Sequence, residues 1–206
     1  MWIAPTTLTG TLIRLEPLEL RHAPDLLAVA DPDLFRHTPQ APPEFTVAGF
    51  EQNIARVLSL PDVVPFAIIL LSTGMAIGRS TFMDIQPANR GVEIGRTWIA
   101  RAHHGTRINP ELKFLMLRHA FEQLSPPAIR VQFTTGGTNL HSQAAIAKLG
   151  ASCEGTLRHN RVVPATSDPA GPTMIRDTVF YSILQNEWPR VKAGLLGRMH
   201  APISPA

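Results

Sequence analysis

The sequence predicts an α+β domain in which helices flank a central mixed, mostly antiparallel sheet of about seven strands. Three observations lead to this class. Three short apolar segments in the first half are joined by tight turns, as in antiparallel strands. Strand-like and helix-like segments then alternate, as in βα units. Finally, 206 residues of which 44% are hydrophobic suffice for one domain with a substantial core.

The first half of the chain begins with a strand predicted over residues 12–15 and a short helix over 21–30. Four prolines within residues 31–46 predict a loop, because proline interrupts both helices and sheets. Long irregular connections are often functional, so this loop is a candidate substrate-facing flap. Apolar residues spaced on one face predict a second helix over 47–58.

The pattern then changes to strands, which are predicted over residues 66–71, 76–85 and 92–100. A helix follows that Asn109 is expected to cap, with Pro110 at its first position. Its apolar face continues to about residue 124, where two prolines end it. A strand over 129–134 and a helix over 139–149 come next, and Gly150 closes that helix.

The last part of the chain predicts strands over 152–157 and 175–184, separated by a proline- and glycine-containing loop over 160–173. A short helix over 188–196 follows. We therefore expect a single domain over residues 1–190 and a tail over 191–206.

Composition limits the class of protein. A single cysteine, Cys153, excludes an internal disulfide and is typical of a reducing compartment. The N-terminus lacks the layout of a signal peptide, and the longest apolar run, residues 63–71, is too short to cross a bilayer. We expect a cytoplasmic protein without a membrane partner.

The charge is unevenly distributed along the chain. Residues 1–100 hold 7 Lys/Arg and 10 Asp/Glu, whereas residues 101–206 hold 12 and 6, so the net charge of +3 arises in the second half. A nucleic-acid partner is not expected, because the sequence has no basic helix and its aromatic residues make up only 6% of the chain. His103 and His104 are adjacent and lack acidic or cysteine partners at metal-binding spacing, so no metal is expected either.

The turn at residues 103–108 joins a predicted strand to a predicted helix. Such a turn directs several unpaired backbone N–H groups to one point, and that point attracts phosphate. On local pattern alone, an ordinary βα unit that binds nothing is the commoner alternative.

Four motifs, in order, give the sequence a resemblance to the GNAT superfamily of N-acyltransferases, most closely to its RimJ/RimL-like branch of ribosomal-protein N-terminal acetyltransferases. They are VEIGRTWIA (92–100), GTRINPELKFLMLRHAFE (105–122), TNLHSQAAIAKLGASCEGTLR (138–158) and IRDTVFYSILQNEWP (175–189). The resemblance covers roughly residues 8–188. It implies the GNAT fold, acetyl-CoA as co-substrate, a primary amine as acceptor, and a homodimer as a compatible assembly.

The resemblance also implies which residues bind acetyl-CoA. In the family, a Gln/Arg-x-x-Gly-x-Gly/Ala turn holds the pyrophosphate, and the corresponding residues here are His104, Gly105, Thr106, Arg107, Ile108 and Asn109. Arg107 replaces a usual glycine, so its side chain either obstructs the phosphate or binds it through the guanidinium. Asn139 and Ser142 match an Asn-x-x-Ser pair that approaches the pantetheine arm, although Asn139 is also a good helix cap.

The expected chemistry is attack of an amine on a thioester. An alkyl amine has a pKa of about 10.4, so a carboxylate or a water chain must assist its deprotonation at neutral pH. Glu93 is the candidate general base, and the backbone amides of Trp98, Ile99 and Ala100 are candidates to polarise the thioester carbonyl. Many relatives use a tyrosine as general acid where this chain has Ile146, so Ser142 is the candidate substitute. A non-catalytic CoA-binding module is the alternative that Arg107 and Ile146 favour.

Overall fold

The computed structural model of the chain describes residues 1–35, 41–164 and 172–200. Its strands are β1 Leu8–Thr9, β2 Ile13–Pro17, β3 Val64–Leu70, β4 Ala76–Gln86, β5 Gly91–Ile99, β6 Arg130–Gly136, β7 Ser152–Pro164 and β8 Thr173–Leu184. Its α-helices are α1 Ala23–Val29, α2 Val47–Leu58, α3 Ile108–Arg118, α4 Leu140–Ala147 and α5 Trp188–His200. The order of these elements follows the predicted order.

All eight strands form one mixed sheet in the order β1-β2-β3-β4-β5-β6-β8-β7. Every neighbouring pair is antiparallel except β5 and β6, which run parallel because α3 crosses over between them. The predicted fold class is confirmed. The sheet has eight strands because two-residue β1 pairs with β2, and a pair that short leaves no alternating pattern in the sequence.

Each face of the sheet carries its own apolar core. The larger core includes residues from α3 and α5, among them Leu112, Leu115, Val191 and Leu195, packed with Phe66, Phe82, Phe133 and Ile183 of the sheet. The smaller core lies under α1 and α2 and includes Leu26, Phe50, Ile54, Ala67, Ile69 and Trp98. Helices therefore cover both faces of the sheet. This agrees with β3, in which six of seven residues are buried, because side chains on both of its faces are shielded from water.

The predicted loop at residues 160–173 was wrong at both ends. β7 continues to Pro164 and β8 begins at Thr173, while residues 165–171 lie outside the described part. A proline is tolerated in β7 because this strand is at the edge of the sheet. Of the predicted loop over 31–46, residues 36–40 also lie outside the described part, and Pro32–Phe35 form a 3₁₀ turn.

The start of α3 corrects the predicted cap. The helix begins at Ile108, and Arg107, not Asn109, is the capping residue, without a side-chain cap. The backbone N–H of Glu111 donates to the carbonyl of Arg107 at 3.1 Å, which places the first helical hydrogen bond two residues earlier than expected. The helix then continues through a π-helical segment, His119–Gln123, so its predicted end near residue 124 is confirmed.

Helix α5 continues four residues beyond the predicted end, to His200. Val191 is 2% exposed and Leu195 is 1% exposed, and both belong to the larger core. Residues of this helix beyond 190 therefore pack in the larger core, whereas residues 201–206 lie outside the described part. Among the described residues, no helix is both long and apolar enough to cross a membrane.

Candidate active site

The two parallel strands β5 and β6 are paired over only three residues. Gly91, Val92 and Glu93 face Arg130, Val131 and Gln132. Beyond Glu93 the strands separate, although β5 continues to Ile99 and β6 to Gly136. Backbone groups on this edge of β5 consequently have no partner strand, so the sheet contains a wedge-shaped opening between β5 and β6.

Two of the three predicted amides face β4 and not this opening. The N–H of Ala100 donates to the carbonyl of Ile77 on the β4 side, at 2.8 Å. Because main-chain groups alternate between the two edges of a strand, Trp98 also faces β4, its register partner there being Arg79. Ile99 is therefore the residue of the three whose N–H faces the opening.

A β-bulge distorts β5 next to this opening. Arg79 pairs with Trp98 and Thr81 with Gly95, so the single residue Ser80 lies opposite both Arg96 and Thr97. Arg96 takes up the extra length with a φ of 51°. A bulge increases local twist and redirects side chains, and here it sends the side chains of Arg96 and Thr97 in directions that regular alternation would not predict.

The turn before α3 has the backbone form that binds anions. Gly105 has a φ of 74°, a conformation that favours glycine. Among the described residues, no acceptor meets the backbone N–H groups of Gly105, Thr106 or Arg107. These free donors lie at the positive end of an eleven-residue helix, which is the combination that binds phosphate.

Two side chains of this turn contact neighbouring elements. The Nε2 atom of His104 lies 2.8 Å from the carbonyl oxygen of Ile99, and its ring stacks on that of His141 with centroids 6.3 Å apart. Arg107 donates from Nη1 to the carbonyl of Met199 in α5 at 3.3 Å. The guanidinium of Arg107 is thus directed to α5, and its Nε is left without a partner among the described residues.

Glu93 lies where β5 and β6 part. The residue is 4% exposed, and its carboxylate accepts hydrogen bonds from Thr134 Oγ1 at 2.7 Å and Gln132 Nε2 at 3.0 Å. Both donors belong to β6, so the carboxylate joins the two strands at the apex of the opening. Glu93 therefore lies next to the edge of β5 that has no partner strand.

Asn139 and Ser142 lie at the start of α4. Asn139 caps the helix, since its Oδ1 accepts from the backbone N–H of Ser142 at 3.1 Å. This leaves the amide NH₂ of Asn139 and the hydroxyl of Ser142 without partners among the described residues. Ile146 is 8% exposed and packs in the larger core, so it places no titratable group at the site.

Lys113 is a polar residue of this region that sequence reasoning missed. Its Nζ donates to Thr97 Oγ1 at 2.9 Å and lies 5.7 Å from the ring centroid of Phe133, so it connects β5 with β6 from the α3 side. Burial lowers the pKa of Lys113 to about 7. A lysine within the otherwise apolar face of a predicted helix was the signal that could have identified it.

The acetyltransferase (GNAT) domain family matches residues 13–152 of the chain. This match covers more than half of the sequence. The chain belongs to the GNAT acetyltransferase family. The resemblance that four sequence motifs indicated is thereby confirmed.

Known relatives of this GNAT chain include both sequences and solved structures. A Bacillus subtilis (strain 168) protein named "Putative ribosomal N-acetyltransferase YdaF" is 29% identical over 119 residues, which is 58% of this chain and 59% of that protein. A crystal structure of a "putative acetyltransferase" from T. thermophilus is 38% identical, with a TM-score of 0.85 and coverage of 97% of this chain and 100% of that one.

Two further structures extend the comparison. A GCN5-related N-acetyltransferase from Brucella melitensis is 28% identical, with a TM-score of 0.86 and coverage of 98% of this chain and 88% of that one. Mycobacterium smegmatis RimJ, solved in complex with CoA-disulfide, is 24% identical, with a TM-score of 0.73 and coverage of 94% and 96%. The latter likeness shows the shared fold.

The residues of this GNAT chain fit the acetyl-CoA that the family uses. Free N–H groups at Gly105, Thr106 and Arg107 suit a pyrophosphate, and the unpaired edge at Ile99 suits the amide groups of a pantetheine arm. Within the described ranges, no group of three or more His, Cys, Asp or Glu side chains is placed to hold a metal ion.

Proposed function

We propose that the protein is an acetyl-CoA-dependent N-acetyltransferase that acts on a primary amine, either a peptide or protein N-terminus or a small molecule. The observation that carries this proposal is the opening between β5 and β6, with free N–H groups at the turn before α3 and the carboxylate of Glu93 at its apex. A thioester arm laid along β5 would reach from the turn toward Glu93.

The residues that would hold acetyl-CoA are those of the turn and of the two facing elements. The amides of Gly105, Thr106 and Arg107 would bind the pyrophosphate, and the Ile99 amide would bind the arm. The free NH₂ of Asn139 would approach the arm from α4. Because the carbonyl of Ile99 already contacts His104 Nε2, binding of the arm at this carbonyl would require the imidazole to turn away.

When bound, acetyl-CoA supplies an acetyl thioester whose carbonyl carbon accepts the amine nitrogen. A new C–N bond forms, the C–S bond breaks, and the amine loses one proton while the departing sulfur needs one. Both carboxylate oxygens of Glu93 already accept hydrogen bonds, so Glu93 would take the amine proton through a water molecule. The free hydroxyl of Ser142 would pass a proton to the departing sulfur and regain one through water, which carries the proton that the amine loses.

A non-catalytic CoA-binding module is the second candidate function. It is favoured by Ile146, which leaves the usual position of the general acid without a hydroxyl group, and by Arg107 at a position where the family has glycine. The two candidates differ in turnover. Mixed with acetyl-CoA and a panel of amines, the protein is expected to release free thiol with at least one amine, whereas tight CoA binding without thiol release for every amine would support the module.

A further inference from the structure

Five arginines from five different elements lie opposite one another or shift one another's pKa, and we call them the arginine cluster. They are Arg56 of α2, Arg79 of β4, Arg96 of β5, Arg161 of β7 and Arg176 of β8. Among the described residues, none of the five forms an ion pair with a carboxylate. An arrangement that concentrates positive charge without neutralising it requires an explanation.

Two members of the cluster lie directly opposite each other on neighbouring strands. Arg161 and Arg176 are register partners in the antiparallel pair formed by β7 and β8. Like charges at directly opposed positions destabilise a sheet. Arg176 also reaches back over β6, since a methyl group at Gly136 would lie 3.2 Å from its Cδ. The sheet thus holds two cations together at a cost to its own stability.

Arg79 places a positive charge without an opposite charge in the protein interior. It is 2% exposed, and the partner of its Nη1 is the neutral amide oxygen of Asn53 on α2, at 2.8 Å. Burial, reinforced by the charges of Arg96 and Arg56, lowers the pKa of Arg79 to about 9. A buried charge is normally matched by an opposite charge, and an amide oxygen supplies only a dipole.

Arg96 connects this buried arginine to the rest of the cluster. Its pKa is lowered by burial and then by the charges of Arg56 and Arg161, whereas the charge of Glu93 raises it. The pKa of Arg176 is likewise lowered by burial and by Arg161, and raised by Glu93. The members of the cluster are therefore close enough to repel one another, and the same carboxylate acts on two of them.

Unused hydrogen-bond donors accompany the unbalanced charge. The Nε atoms of Arg79, Arg96 and Arg176 are buried and have no hydrogen-bond partner within the described chain. A buried donor without a partner destabilises the folded protein. Opposed like charges, a buried unmatched charge and buried donors without partners thus occur together. Such unfavourable features are typical of a functional site, where a ligand supplies the missing partners.

We propose that the acceptor amine carries an anionic group, a carboxylate or a phosphate, which the arginine cluster binds at the mouth of the site while Glu93 faces the amine. This inference rests on the proposed function and names the class of its acceptor. Arginine is suited to this task because its planar guanidinium meets carboxylate and phosphate oxygens through two parallel hydrogen bonds. Glu93, whose charge acts on Arg96 and Arg176, would meet the opposite end of such a molecule.

The first test is binding, measured by calorimetry. The protein is saturated with CoA, so that the turn before α3 is already occupied. Three matched pairs of probes differ only in the anion: O-phosphoethanolamine against ethanolamine, β-alanine against β-alaninamide, and a peptide with aspartates after its N-terminal residue against its asparagine counterpart. At least one anionic member is expected to bind about 10-fold or more tightly than its neutral partner. The three pairs distinguish phosphate, small carboxylate and acidic peptide as the source of the anion.

Variants then assign the preference to the cluster. Arg161→Gln and Arg176→Gln should each reduce the preference for the anionic member by about 10-fold while the affinity for CoA stays unchanged. Arg190→Gln is the matched control, since Arg190 is exposed on α5 and contacts only the carbonyl of Gly150 among the described residues. Equal affinity within every pair overturns the inference, and so does a preference that survives both cluster variants.

Turnover of the same probes separates this inference from the function on which it rests. Anion-dependent binding without thiol release from acetyl-CoA for any probe would support the arginine site and contradict the acetyltransferase proposal. Thiol release at equal rates for charged and neutral members would support the acetyltransferase and overturn the anionic acceptor.

Discussion

Glu93 shows at the scale of one residue how the fold fixes the orientation of a buried carboxylate. Thr134 and Gln132 each donate to one oxygen, so the carboxylate has a fixed orientation at the apex of the opening. The sequence identified Glu93 because it lies on the strand that was expected to lie beside the thioester. The two donors could not be identified in the same way, since they belong to a strand about forty residues later whose register is set by the whole sheet.

The Glu93→Gln variant tests this role. If Glu93 accepts the amine proton through water, we expect kcat at neutral pH to fall by roughly 10²–10⁴-fold, with CoA affinity nearly unchanged. Glu51→Gln, at an exposed position of α2, is the matched control and should behave as the parent. Steady-state thiol release and calorimetry make the comparison, and parental turnover in Glu93→Gln would remove this residue from the mechanism.

Lys113 is the residue whose contribution to stability depends most clearly on pH. Burial lowers its pKa from the ordinary value of 10.5 to about 7, and its neighbours Thr97 and Phe133 supply no carboxylate. Below pH 7 the ammonium is charged in both folded and unfolded protein, so the full cost of burial is present. Between about pH 7 and 10.5 the unfolded chain binds more protons at this group than the folded one, and this contribution to stability rises with pH.

We therefore expect Lys113→Met to be more stable than the parent at neutral and lower pH, and the difference to shrink as the pH rises toward 10.5. Lys192→Met is the control, because Lys192 is only partly buried and is paired with a carboxylate, that of Glu122. Denaturant unfolding at several pH values, from about pH 6 to about pH 10, measures the effect. A gain that stays constant over this range would show that methionine packing, not proton binding, accounts for it.

At the scale of elements, the turn and the first residues of α3 form one unit, which we propose binds the pyrophosphate. The sequence predicted this unit correctly as a strand, a turn and a helix, but placed the helix start at Asn109. The reason for the difference is that Arg107 contributes its carbonyl to the helix although its side chain gives no cap, and capping preferences alone point to asparagine.

Arg107→Gly tests what the arginine contributes to the turn. The guanidinium is directed toward Met199 and leaves the amides of the turn uncovered, so its positive charge should assist the phosphates without obstructing them. We expect the variant to bind acetyl-CoA about 10-fold more weakly by calorimetry, since a charge-assisted interaction is lost. Arg190→Gln again serves as control, and tighter binding by Arg107→Gly would mean that the side chain obstructs the site.

The two longest strands, β7 and β8, show where prediction from local pattern fails. Pro164 and the glycine and prolines after it indicated a loop, yet Arg161, Val162 and Val163 pair with Arg176, Ile175 and Met174. Pairing between such segments depends on register, which is set by the part of the sheet already formed. For the same reason, no local motif could bring Arg56, Arg79 and Arg176 to one place, and the arginine cluster was not predicted.

At the scale of the whole molecule, buried and half-buried charged groups make the free energy of unfolding depend on pH. Burial by itself would raise the pKa of Glu16, but hydrogen bonds from His22, Arg14 and Arg21 outweigh it and lower the pKa to about 2. The carboxylate lies 2.9 Å from His22 Nε2 and 2.7 Å from Arg21 Nη2. This network joins β2 to the turn before α1, so it helps to fix the smaller core against the sheet.

A carboxylate whose pKa is lowered on folding stabilises the protein above its unfolded pKa and loses that effect as the pH falls. For Glu16 the loss is expected between about pH 4.5 and pH 2, and amounts to about 3 kcal/mol. Glu16→Gln should be destabilised at about pH 6 and differ less from the parent at about pH 3, as measured by urea unfolding. Glu51→Gln controls for the loss of an exposed carboxylate, and an equal difference at both pH values would contradict the assignment.

The β7–β8 ribbon and the turn before α3 are separate parts of the fold. β8 pairs with β6 only from Thr178 onward, so residues 173–177 are held by β7 alone, and Arg176 belongs to that projecting part. The turn before α3 lies on a different element and shares no strand with it. If the arginine cluster binds the acceptor, a graft of a relative's ribbon should alter which amine reacts while the affinity for CoA stays constant. A graft that changes both would show that the two parts are coupled.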